Sequence, residues 1–158
     1  MDQLLEAAFI KAISIENQSL SFYRTMALRV GDEWTIKIFE RMAEEESEHL
    51  KSFWTVYPGD VPELLNKVIR NNMFEETKYQ ELHDPVNAFI NELKALEISL
   101  LEEKACIDYY AMFVEVFRDA SIRELFQRVL TDTRNHLELL SDEYLRRREI
   151  GSRQGATA

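Results

Sequence analysis

Residues 42–53 read MAEEESEHLKSF, and whether this run lies wholly on a solvated surface decides how the chain folds. Five of its twelve positions are acidic or histidine, yet Met42 and Phe53 bracket them at a spacing that suits one helical face. Acidic runs on helices usually face water, so the stretch alone leaves the matter open.

The rest of the chain supplies a second copy of the pattern at a fixed offset of 87 residues. Glu16 then meets Glu103, Tyr23 meets Tyr110, Asp32 meets Asp119 and Phe39 meets Phe126. Arg41 meets Arg128, His49 meets His136, Leu50 meets Leu137 and Tyr57 meets Tyr144, with no gap across two helices and their loop. This is a repeated helical hairpin.

The repeat also sorts the polar residues by face. In the first helix Phe9, Ala12, Glu16, Tyr23 and Ala27 share a stripe, so Glu16 interrupts an apolar face. In the third, Leu96, Leu100, Glu103, Ile107, Tyr110 and Val114 do the same around Glu103. Phe39, Met42, Glu46, His49 and Phe53 align in the second helix, and Phe126, Val129, Thr133, His136 and Leu140 in the fourth. Glu44, Glu45 and Glu48 point elsewhere, toward water. The opening stretch is therefore mostly surface, with Glu46 and His49 directed inward.

Outward from these stripes, the first helix is expected over about residues 2–30, ended by Gly31, with Asp32 capping the second. YPGD stops the second helix at Tyr57. A crossover over 58–84 holds VPELLNKVIRNN, a short helix by pattern, and His83, read as surface. Asp84 and Pro85 restart the chain as cap and first helical residue. Ser121 and Glu124 resemble a capping box for the last helix, LRRRE near its end suits the helix dipole, and 151–158 form a flexible polar tail. Hairpins at 2–57 and 85–149 joined by one long connection describe an all-α four-helix bundle, one domain over 1–150.

Composition narrows the function classes. Four glycines and three prolines in 158 residues favour long helices over a turn-rich all-β fold. A formal charge of −10 disfavours nucleic acid and anionic membrane as partners and suits cations. The single cysteine, Cys106, excludes a disulfide framework or a CxxC metal site within this sequence and is expected to pack as a small hydrophobe. Neither a signal peptide nor a membrane-spanning run is visible, which makes a cytoplasmic protein the expectation.

Carboxylates converging on a bundle interior need compensation, because an isolated buried charge costs several kcal/mol. No Lys or Arg stands on the inward stripes named above. A metal dication would supply the missing charge, with Glu and His at i and i+3 reaching it from one helical turn.

At these residues the sequence resembles a known family. IENQSLSFY (15–23) and EESEH (45–49) look like the rubrerythrin branch of the ferritin-like superfamily, over nearly all of residues 2–146. The resemblance implies a ferritin-like bundle with two non-haem irons, and reduction of peroxide or dioxygen as an oxidative-stress defence. It implies Glu16, Glu46, His49, Glu103 and His136 as metal ligands, with Tyr23 and Tyr110 hydrogen-bonded to ligand carboxylates or simply part of the core. It also implies a separate electron-donor protein, since no rubredoxin-type module is present, and a homodimer. One position departs from the family pattern: the second ExxH has Thr133 where a glutamate belongs, and Asp132 lies about 100° round the helix. That leaves five side-chain ligands. The alternatives are iron sequestration without turnover, a single metal such as zinc, or a metal-free structural relative.

Overall fold

The computed structural model describes residues 3–72 and 88–155. Its helices are α1 (Gln3–Ala27), α2 (Glu33–Val56), α3 (Val61–Asn72), α4 (Ala88–Val116) and α5 (Ala120–Gly155). Among the described residues there is no strand. The fold is an all-α ferritin-like bundle: α1 pairs with α2, α4 with α5, α2 also packs on α5, and α3 lies against α1. The restart expected at Asp84 and Pro85, and His83, lie outside the described residues.

Each long helix crosses two apolar clusters, with its polar site residue between them. Phe9, Ala12, Phe53, Tyr110, Phe126 and Val129 belong to one cluster. Leu20, Tyr23, Phe39, Met42, Leu96 and Leu140 belong to the other. The first is rich in rings: Phe126, fully buried, has its centroid 5.2 Å from Phe53, 5.4 Å from Phe117 and 5.8 Å from Phe9. Burying one such phenyl side chain contributes about 2–3 kcal/mol. Two apolar clusters thus flank a polar layer on both sides along the bundle.

Local chemistry explains the helix ends and corrects three expectations. Asp32 caps α2 as expected, its Oδ1 accepting from the amides of Trp34 and Thr35. The cap of α5 is Asp119, its counterpart in the repeat, which accepts from the amides of Ser121 and Ile122. Ser121 is not the cap: α5 already begins at Ala120, and the Ser121 hydroxyl donates to Asp119 as well. Nor does Gly31 mark the end of α1, which already stops at Ala27. Met26 O takes the amides of Arg29 and Val30, and no described glycine has positive φ. Finally, α5 runs on to Gly155, so Arg146 and Arg147 are not at its terminus and meet acidic side chains instead.

Along α4 the expected spine of Leu96, Glu103 and Tyr110 is buried. Leu100, Ile107 and Val114 are only half-buried, and Ser99, Cys106 and Phe113 take the inner places beside the spine. A seven-residue spine has a companion line on either side, and packing against the neighbouring helices selects one of them.

Candidate metal centre

The polar layer is built by four helices. Glu16 comes from α1, Glu46 and His49 from α2, Glu103 from α4 and His136 from α5, and all five are at most 4% exposed. They form two groups with one member in common: Glu16, Glu46 and His49, and Glu46, Glu103 and His136. Within each group the donor atoms lie within 4.8 Å of one another. His49 Nδ1 is 3.1 Å from Glu16 Oε2 and 3.2 Å from Glu46 Oε2. His136 Nδ1 is 3.5 Å from Glu46 Oε1 and 3.7 Å from Glu103 Oε2.

These side chains fit a cation. Oxygen and nitrogen ligands about 2.0–2.2 Å from one ion stand about 3–4 Å apart, which matches the spacing found here. The buried Nδ1 of His136 has no hydrogen-bond partner, although it faces two carboxylates. Such an atom is rare in a folded interior unless something binds it.

The two tyrosines brace the carboxylates crosswise. Tyr23 donates to Glu103 Oε1 at 2.6 Å, and Tyr110 donates to Glu16 Oε1. Each hydroxyl of one hairpin therefore holds the carboxylate of the other, and both tyrosines are buried. The ring of each tyrosine lies in the core and its hydroxyl on a carboxylate of the layer.

Without metal, protons balance the charges. Burial pushes Glu16 well above the usual carboxylate range, and the neighbouring Glu46 adds to it. Burial also acts against ionised Glu46, but the neighbouring Glu16, His136 and His49 outweigh it and hold that carboxyl well below its usual range. Burial disfavours both imidazolium ions, yet Glu16 and Glu46 push His49 up to about 10. Glu103, Glu45 and Glu46 likewise push His136 up to about 12. A cation would take over the role of these protons, since ligation requires a neutral imidazole nitrogen and ionised carboxylates.

Thr133 does not reach the layer as a ligand; its hydroxyl donates to Val129 O of its own helix at 2.8 Å. Asp132 does not replace it. Its Oδ2 lies 3.1 Å from His49 Nε2, on the outer side of that ring. Helical spacing directs Glu45 toward water and gives Asp132 no contact, yet Glu45 Oε2 lies 2.8 Å from His136 Nε2. The repeat offered the signal, because Glu45 and Asp132 are themselves 87 residues apart. Cys106 is buried, as expected of a small hydrophobe; burial and the carboxylates Glu103, Glu16 and Glu46 keep its thiol protonated.

The rubrerythrin family model matches residues 8–144. The chain belongs to the rubrerythrin family. That stretch runs from the first turns of α1 to Tyr144 of α5 and contains all five polar side chains of the layer. No curated protein and no solved structure matches the chain. No described helix is long and apolar enough to cross a membrane.

Proposed function

We propose that this rubrerythrin-family chain is a di-iron protein that reduces peroxide or dioxygen in the cytoplasm, as an oxidative-stress defence. Glu16, Glu46, His49, Glu103 and His136 would hold the metal, and Glu46 serves both halves of the centre. The observation that carries this reading is that shared carboxylate: two ligand groups, each enclosed, meet at one residue. Iron bound by these residues would supply the electrons for reducing an O–O bond through oxidation of Fe(II). The chain's own residues do the rest. Tyr23 and Tyr110 fix the outer carboxylates, and the two apolar clusters close the layer at both ends of the bundle.

The single cysteine of this sequence cannot supply the four thiolates of a rubredoxin-type iron site, and this reading includes a separate electron-donor protein. It also includes a homodimer. A net charge of −10 argues against nucleic acid and anionic membrane as partners.

A second reading is iron binding without turnover, and Thr133 favours it. Its committed hydroxyl leaves the centre one carboxylate short. Anaerobic Fe(II) loading, metal analysis and then peroxide with an added reductant separate the two. About two irons per chain with repeated peroxide consumption supports the enzyme. Tight binding with a single oxidation supports sequestration. One zinc, or no metal bound by folded protein, rejects both.

A further inference from the structure

Each imidazole of the centre has a second nitrogen, and neither is left to water. His49 Nε2 meets Asp132 of α5 at 3.1 Å, and His136 Nε2 meets Glu45 of α2 at 2.8 Å. The arrangement is crossed: the residue before Glu46 holds the histidine of the other hairpin, and the residue before Thr133 does the same in return. An ionised carboxylate only accepts, so each contact fixes a proton on Nε2. In a neutral imidazole the lone pair then lies on Nδ1, the atom facing the buried carboxylates.

We propose that Asp132 and Glu45 are positioning residues. Each orients one histidine, from the opposite hairpin, so that Nδ1 is presented to the carboxylate layer. The metal consequence rests on the di-iron reading above, whereas the ring orientation does not. Three observations favour this role over an incidental surface ion pair. Both acceptors bind nitrogens of side chains at most 5% exposed, where a hydrogen bond is not in competition with bulk water. The two contacts repeat under the 87-residue offset, although one acceptor is aspartate and the other glutamate. And Asp132 and Glu45 both line an open groove of about 1330 Å³ whose inner wall includes His49, so they form the layer's outer edge.

With side chains 37% and 33% exposed, Asp132 and Glu45 can be changed without opening the core. The first test uses metal-free protein and long-range ¹H–¹⁵N NMR of the imidazoles. Wild type should show a slowly exchanging proton on Nε2 of both rings. Asp132→Ala should speed exchange at His49 about tenfold or more and leave His136 unchanged, and Glu45→Ala should do the reverse. Asp132→Asn and Glu45→Gln, which keep an oxygen acceptor, should restore protection. The second test loads Co(II): each alanine variant should weaken one bound ion about 10–100-fold, with the amide variants recovering most of it. Protection that survives both alanine changes, or that is lost on the same helix as the substitution, overturns the proposal. Crossed NMR effects in a protein that binds no Co(II) would uphold the ring orientation and reject the metal reading.

Discussion

At the scale of single residues, Thr133 and the two histidines decide what the centre can do. Thr133 is buried on the stripe that carries His136, so a glutamate there would enter the polar layer. Thr133→Glu should tighten Fe(II) binding on the order of tenfold, read by anaerobic titration. A variant that folds normally and binds Fe(II) no better than wild type would detach position 133 from the centre. The histidines set a pH dependence. His49 at about 10 and His136 at about 12 retain protons that an unfolded histidine gives up near 6.5. In metal-free protein their contribution is complete below about pH 6.5 and is lost as pH rises through 10. Glu16, also raised, acts in the same direction. The thermal midpoint of metal-free protein should therefore fall from pH 7 to pH 10, measured by circular dichroism. Metal-loaded protein should fall less, because its imidazoles are already neutral. A metal-free midpoint that is flat or rising over this window would contradict the charge balance described.

At the scale of elements, the hairpins repeat more faithfully than a local motif search suggests. Asp32 and Asp119 perform the same capping role 87 residues apart, whereas the Ser121–Glu124 pattern that resembles a capping box starts two residues too late. A motif read within four residues cannot tell a cap from the first turn it precedes; alignment of the two hairpins can. Asp119 is exposed and bonds only local groups, so Asp119→Ala should cost about 1 kcal/mol in urea unfolding. Ser121→Ala should stay within about 0.5 kcal/mol. Equal costs would restore Ser121 as the cap. Asp32 should cost more than Asp119, because it also takes Arg146 and, at 2.9 Å, Arg147.

At the scale of the molecule, a second buried polar cluster closes one end of the bundle. Arg147 of α5 pairs with Glu92 near the start of α4, and Glu92 Oε1 accepts the amides of Gly31 and Asp32 ahead of α2. Glu143 joins through Thr35 and Arg146. Three helices are thereby tied at one place, with Glu92 and Glu143 each 2% exposed. Arg147→Ala leaves Glu92 without its guanidinium and should cost about 3 kcal/mol by urea unfolding. The double change Glu92→Leu with Arg147→Met should cost clearly less than the sum of the single changes. Additive losses would mean that the pair is not coupled. This cluster was legible only in part: Glu143 and Arg147 extend the stripe of His136 and Leu140, but nothing in the sequence names Glu92 as their partner.

The sequence by itself determined the helical hairpin, its duplication and the inward direction of Glu16, Glu46, His49, Glu103 and His136. Those follow from periodicity, and a helix converts residue spacing into a face without help from its neighbours. Only the tertiary structure decided which residues meet across helices: Tyr23 with Glu103, Tyr110 with Glu16, Asp132 with His49 and Glu45 with His136. It also decided which companion line of α4 is buried. Spacing along one helix carries no information about the rotation or height of the helix opposite, and these crossed contacts depend on both.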